Sequence, residues 1–394
     1  MHHFTDIVPH AEVMRLTLNY RSTQEILDLG NWILARSPLH YDKELQAVRG
    51  KGVRPALIHY VNDWDQARDI VMRIRDSVGV QGCKYEDNMV LSRSNYGMRA
   101  VEGCLIEAGI PYTIFGGTGL MKSAHIRDVV SALRVVANPH DELAWMRYLK
   151  LFEGVGDITA AKIISAVLDK ETLQQCLETL VCDFHLPGEA ASTLQAIHNL
   201  QAEVDRAIKA AFEGLEKVLS RAYKDDWEKR KRDLPILQKI GAGAQSITAF
   251  LGEYVLDPAL ETGDKEDGHA DDHVILTTIH SAKGLEATNC YLLNVSYSNF
   301  PSPHAIEAGE EAVEEERRCL YVALTRAKNR LYLYRSLKAS RVVEPSDRQN
   351  SLYFLNDLPP HLCTLGNVRE GDRAWSQYKG EGISFSDDSD FDFS

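Results

Sequence analysis

The sequence predicts an α/β protein: a parallel sheet covered by helices, interrupted by a long helical insert and then resumed. Two observations carry this. Over the first 125 residues, short β-rich runs alternate with helical patterns, as in a layered sheet. From about Ile126 the strand signal vanishes for more than a hundred residues, then returns at Val274. The expected organisation is a first sheet portion over 1–125, an inserted helical domain over 126–255, a second sheet portion over 256–362 and an acidic tail over 363–394.

Residues 13–20, VMRLTLNY, alternate loosely and read as a strand. Ser22 and Glu25 form an S-x-x-E capping-box pattern, and Ile26, Leu27, Gly30, Ile33 and Leu34 continue as a helical stripe. Strands are expected at 56–60, 89–92 and 112–115, with helices over about 63–77 and 95–108 between them. In the insert, HIRDVVSALRVVA, ELAWMRYLKLF, TAAKIISAVL, the stretch 189–223 and ITAFLGEYVL all carry helical periodicity. Strands then follow at 274–279 and 290–295, a helix at 312–328 and a strand at 330–335. No internal repeat is visible.

With 394 residues, 44% of them hydrophobic, the chain can bury a sizeable core in two or three domains. No run of 18 apolar residues occurs, so no membrane partner is expected. The first residues have neither the apolar core nor the cleavage pattern of a signal peptide. Seven cysteines without a C-x-x-C pair point to a reducing compartment, with the cytoplasm as the default, and to no structural metal. The formal charge of −13 argues against a nucleic-acid partner, since phosphate binding favours a basic surplus. The acid is concentrated at 264–272, 307–316 and the final residues, so a basic groove elsewhere is not excluded. The terminal SFSDDSDFDFS lacks any basic residue and reads as a disordered acidic tail. It fits a solubilising end first, with a partner-binding peptide or a mimic of DNA as the sharper alternative.

Three segments carry chemistry. In Asn19-Tyr20-Arg21-Ser22-Thr23, Arg21 sits where a strand meets a helix start, a position that favours an anion and at which a guanidinium can fork onto phosphate oxygens. In VILTTIHSAKGLEA, a strand enters His280-Ser281-Ala282-Lys283-Gly284, whose small residues let the backbone approach a ligand; Glu286 offers a carboxylate to a sugar hydroxyl. In EEERRCLYVALTRAK, Leu320, Ala323, Leu324 and Ala327 form a narrow core face, and Arg326 lies roughly 120° from it on a helical wheel. Taken singly, each also fits a bland role: a surface arginine beside a cap, an ordinary strand-to-loop turn, a solvated helix face.

Together, NYRST, TIHSAKGLE and EERRCLYVALTRA resemble, in order, three motifs of the UvrD/Rep family of superfamily 1 DNA helicases. VLSRSN, AGIPYTIFGG, IRDVVSALRVVANPHDE and SLYFLNDLP extend the resemblance over roughly residues 4–362. It implies a RecA-like sheet domain of the P-loop NTPase type, bearing an all-helical insert. It also implies that Arg21 and Arg326 reach a γ-phosphate as arginine fingers, worth about 10³–10⁵ in rate. Gly284 and Glu286 would lie at the nucleotide, Glu286 on the ribose. His280 would border the DNA path, and Asn95 and Phe354 would touch single-stranded DNA, Phe354 by stacking. Gly154-Val155-Gly156, opening a helix, resembles the hairpin that grips duplex through backbone N–H groups; a plain helix-to-helix turn would look the same.

ATP and Mg²⁺ are the implied cofactors, single-stranded DNA and its junctions with duplex the implied partners, and a nucleoid-associated cytoplasmic protein the implied setting. Yet G-x-x-x-x-G-K-[ST] is missing: Gly50-Lys51 has Leu45 where the first glycine belongs. No D-E pair follows an apolar strand; Asp141-Glu142 falls in the helical insert. The expectation is therefore a C-terminal piece lacking the first RecA-like domain, either excised or naturally split, that needs that half in cis or in trans and is inactive alone. Ala287 stands where the family commonly has an aromatic, Ser302 follows Phe300-Pro301 where histidine is frequent, and the insert is short. A non-enzymatic DNA-binding or regulatory module with the same fold is the competing expectation.

Overall fold

The computed structural model describes residue 14 and residues 16–39, 44–255, 272–296, 299–337 and 353–368. The predicted acidic tail beyond residue 368 and most of the polar stretch before Val274 lie outside the described residues. Nine strands are described: β1 (Leu18–Asn19), β2 (Gln46–Ala47), β3 (Ala56–Tyr60), β4 (Asn88–Ser92), β5 (Tyr112–Phe115), β6 (Val274–Thr278), β7 (Ala287–Leu292), β8 (Ala327–Ser336) and β9 (Thr364–Asn367). The chain divides into two compact units, one drawn from Met1–Asn62, Glu86–Ser94 and Thr277–Val368, the other from Asp63–Tyr85, Asn95–Leu276 and Arg369–Ser394.

In the first unit, β4, β7, β8, β3 and β9 pair side by side in that order, every ladder parallel. Burial explains why these segments read as apolar runs: every residue of β4 is buried, and all but one of β7. Their polar members are paired inside, with Asn289 Nδ2 and the Tyr291 hydroxyl both donating to Asn88 Oδ1 at 3.1 and 3.2 Å. Helix Gln24–Ala35 buries Ile26, Leu27, Leu29, Ile33 and Leu34. A Cβ at Gly30 would stand 3.2 Å from the Tyr321 ring, so the glycine permits close approach to helix Glu310–Leu324.

Four local expectations are corrected here. Among the described residues of 13–20, only Leu18–Asn19 forms a strand, paired with β2; Met14, Leu16 and Leu18 are 87%, 82% and 56% exposed, so the alternation meets no core. The capping box does not form. Thr23 is the N-cap, the Ser22 hydroxyl donates to the Ala327 carbonyl at 2.6 Å, and Glu25 accepts from the Gly52 amide at 2.5 Å. The helix expected to reach 328 stops at Leu324, where the Thr325 hydroxyl turns back onto the Tyr321 and Val322 carbonyls. Strand β8 begins three residues later, so the helical-wheel position given to Arg326 does not hold. Finally, residues 364–367, assigned to the tail, form edge strand β9, held by its ladder to β3 while Leu365 stays 67% exposed.

The second unit is mainly helical. Helix Asp63–Gly79 packs on Asn95–Glu107, and a Cβ at Gly103 would meet Ile236 at 2.7 Å and Trp64 at 3.2 Å. Helices Ala124–Ala137, Glu142–Leu149, Asp157–Leu168, Leu173–Cys182, Gly188–His198 and Val204–Ala222 follow. The last buries Val204, Ala207, Ile208, Ala211, Leu215, Val218 and Leu219, one face at helical spacing. Trp145, Tyr148 and Phe152 meet edge to face, and the buried Tyr148 hydroxyl donates to the Ala190 carbonyl at 2.7 Å. No helix of the described residues is long and apolar enough to cross a membrane.

Candidate functional site

The three chemistry-bearing segments meet in the first unit because backbone bonds tie them together. The Thr23 amide donates to the Lys328 carbonyl at 3.2 Å, and the Ala287 amide to the Arg326 carbonyl at 3.2 Å. With the Ser22 bond to Ala327, the helix start after Arg21, the loop before β7 and the turn before β8 form one patch. It lies at the amino ends of β7 and β8. This differs from the strand carboxyl ends at which α/β sheets usually collect a ligand.

Arg21 Nε donates to Glu286 Oε2 at 2.5 Å, and its Nη1 to the Thr325 carbonyl at 3.2 Å. Lys328 Nζ stands 3.1 Å from Glu286 Oε1. Arg326 donates from Nε to the Val322 carbonyl at 3.1 Å and from Nη1 to the Leu285 carbonyl at 3.3 Å. Hydrogen bonds from Arg21 and Lys328 hold the Glu286 carboxyl below its usual range. Burial first, then the charge of Arg21, pulls the Arg326 guanidinium below its own. Three cations thus converge with one carboxylate among these contacts, and each guanidinium uses two of its five N–H donors. The arrangement can accept a polyanion. Gly284, at φ +92°, turns the loop just before Glu286, where a side chain would be strained.

A profile of the UvrD-like helicase C-terminal domain matches residues 14–338. The chain belongs to this family. It is 31% identical over 362 residues to DNA helicase II of Escherichia coli (strain K12), covering 84% of this chain and 48% of that protein. It is 28% identical over 400 residues to ATP-dependent DNA helicase PcrA of Bacillus subtilis (strain 168), covering 94% and 53%. PcrA of Staphylococcus aureus (strain MRSA252) is 27% identical over 403 residues, covering 95% and 53%. The chain spans about half the length of the curated relatives it matches.

Within this UvrD-type chain, Arg21, Gly284, Glu286 and Arg326 come together, while the residues expected at DNA are divided between the two units. His280 is exposed on the loop leading to Gly284, its Nε2 3.8 Å from Cys319 Sγ. Asn95, Gly154, Val155 and Gly156 belong to the second unit. Asn95 opens its helix and donates from Nδ2 to the Gly116 carbonyl at 3.1 Å. Gly154 takes φ +81° and is exposed, Val155 is buried, and Gly156 caps helix Asp157–Leu168 with no side-chain bond to its first amides. The stacking role expected of Phe354 is corrected: it is 2% exposed, and the Arg317 guanidinium lies 4.5 Å from its ring centre. Such a ring offers no free face to a base.

Sequence reasoning missed Lys328 and Arg49. Lys328 lies at the start of β8, two residues after Arg326; the expected helix placed the two about 200° apart and so hid it. Arg49 Nη1 donates to the Arg21 carbonyl at 2.7 Å and the Lys328 carbonyl at 3.2 Å, and no sequence pattern marks it.

Proposed function

We propose that this chain is the C-terminal portion of an ATP-dependent 3′-5′ DNA helicase or translocase, with Arg21 and Arg326 as arginine fingers and Glu286 as the ribose contact. The observation that supports this best is the convergence of the two guanidinium groups beside Glu286, from segments some 300 residues apart in sequence. The residues fit a nucleotide: a surplus of cationic donors faces one half-exposed carboxylate. When bound, ATP with Mg²⁺ supplies the phosphoanhydride whose hydrolysis drives movement. Arg326, anchored on the Val322 and Leu285 carbonyls, presents its remaining donors in a fixed orientation, so little reorganisation is needed as charge develops. Arg21, anchored on Glu286 and the Thr325 carbonyl, does the same.

The sequence has no G-x-x-x-x-G-K-[ST], so the phosphates and magnesium would be held mainly by a RecA-like half supplied in cis or in trans. On this reading the chain alone hydrolyses no ATP. The exposed stripe of Met14, Leu16, Leu18 and Tyr20 supports such a neighbour, since apolar side chains 56–87% exposed gain from being covered. Asn95, His280 and the Gly154-Val155-Gly156 turn would contact single-stranded DNA and its duplex junctions. The 154–156 turn suits phosphate because the first amides of helix Asp157–Leu168, which it opens, receive no side-chain cap. Cytoplasmic, nucleoid-associated work and a protein partner for the acidic tail belong to the same proposal.

Arg326→Ala tests it, in a protein that also carries the phosphate-loop half. DNA-stimulated turnover should fall about 10³-fold or more while nucleotide binding persists. Turnover within about tenfold of the unsubstituted protein defeats the assignment. The second reading, a non-enzymatic DNA-binding or regulatory module, is favoured by the missing phosphate loop. It predicts no turnover even when a RecA-like half from a relative is added in trans.

A further inference from the structure

At the opposite end of β8 from Arg326 lies a cavity of about 290 Å³, formed by β3, β8, β9 and the segment around 355–363. Its polar floor is a pair of neighbours in the sheet, His59 on β3 and Arg335 on β8, which are register partners. Both present a buried nitrogen without a hydrogen-bond partner among the described residues: His59 Nε2 and Arg335 Nε. The Asn367 side chain hydrogen-bonds the same His59 ring, so one imidazole nitrogen is engaged and the other is left. The walls are apolar: Leu57, Leu355, Leu358 and Leu365, with Pro359 and Pro360, which lack backbone N–H groups and add no donor. At the rim, Asp357 stands 3.9 Å from Arg36, so its carboxylate has a cation of its own.

We propose that this cavity binds a small ligand with a carboxylate head and an apolar body, the head on Arg335 and His59 and the body against the leucines. Arg335 Nε–H is a donor with no lone pair, so only an acceptor satisfies it. The Asn367 bond favours the protonated ring, in which His59 Nε2–H and Arg335 Nε–H are adjacent donors. A planar two-oxygen acceptor matches such a pair. Burial, then the charge of Arg335, lowers the His59 pKa, so the net positive charge rests on Arg335 before the ligand binds; a carboxylate beside Arg335 offsets that charge and favours the protonated ring. The volume is at the small end of ligand pockets, room for one side chain or a short fatty chain. The position, at the carboxyl ends of parallel strands, is where α/β sheets collect ligands. It is also separate from the nucleotide-facing patch. Eight residues of β8 divide Ala327 from Arg335, roughly 26 Å at about 3.3 Å per residue.

The head could belong to a free carboxylic acid or to the C-terminus of a peptide, and two probes separate these sources. The full chain, methyl-labelled at leucine, is titrated with 4-methylpentanoate and, separately, with Gly-Gly-Leu; 4-methylpentanamide serves as the uncharged control. Expected are saturable shifts of Leu57, Leu355, Leu358 and Leu365 with at least one carboxylate, and affinity weakened about tenfold or more by Arg335→Gln. His59→Gln should weaken it less, and the better probe names the source. Equal affinity of amide and carboxylate overturns the proposal even if Arg335→Gln fails to fold. No saturable shift with either carboxylate, or a crystal structure at saturating probe with only water on both nitrogens, also overturns it.

Discussion

Glu286→Ala separates ground-state binding from transition-state stabilisation at the nucleotide-facing patch. The carboxylate lies 2.5 Å from Arg21 Nε and 3.1 Å from Lys328 Nζ, but the Arg21 and Glu286 side chains are 28% and 39% exposed. Ion pairs so open to solvent contribute only about 0–1 kcal/mol, so the substitution should leave the fold intact. Arg21 keeps its Nη1 bond to the Thr325 carbonyl, and Arg326 has no bond to Glu286 to lose. Both guanidinium groups therefore stay oriented. On the proposed reading, what disappears is a charged acceptor for a ribose hydroxyl, a hydrogen bond worth about 1.5–3 kcal/mol. That converts to roughly a 10- to 150-fold rise in KM for ATP, with kcat little changed. The assay is steady-state DNA-stimulated ATPase on protein carrying the phosphate-loop half, alongside a nucleotide-binding titration. A KM unchanged by the substitution, or a loss confined to kcat, refutes the assignment of Glu286 to the sugar.

Three further outcomes are expected. Arg21→Ala should raise the Glu286 titration midpoint, read by carboxyl NMR. Because that pKa is depressed in the fold, its contribution to stability is present above the ordinary carboxyl range and lost as pH falls through the folded value, so the contact should survive pH 5. Gly154→Ala should weaken duplex binding equally across sequences, measured by anisotropy; φ is +81° there with nothing within 4 Å of a new Cβ, so the strain is in the backbone alone. Unchanged affinity would remove the turn from the DNA surface. Tyr148→Phe should destabilise the helical unit by about 1–3 kcal/mol in denaturant unfolding, since the Ala190 carbonyl loses its buried donor.

Several strands were legible because burial on both faces writes itself into sequence: ALIHY and MVLS fall on β3 and β4 as expected. The errors share a different cause. At 13–20 the alternating apolar residues face solvent, so periodicity overstated the strand. At 364–367 the strand rests on backbone pairing to β3, which leaves no hydrophobic trace. Between Leu324 and Ala327 a helix gives way to a strand in three residues; the four residues assigned to one helical face are all fully buried, but Ala327 is buried as a strand residue. Phe354 shows the limit of motif transfer, since a string can match while its aromatic ring serves the core.

That helix-to-strand junction also explains why the arginines can be so well placed. Arg326 occupies the one turn whose carbonyl receives the Ala287 amide, while its neighbours Ala327 and Lys328 receive Ser22 and Thr23. The bonds that close the fold are therefore the same bonds that bring Arg21, Glu286 and Arg326 together. Displacing any of the three segments would break sheet or helix contacts as well as the site. The guanidinium groups then have little freedom to adjust, and an anion meeting them finds donors already aimed. Preorganisation of this kind costs nothing at the moment charge develops, because it was established when β8 paired with its neighbours.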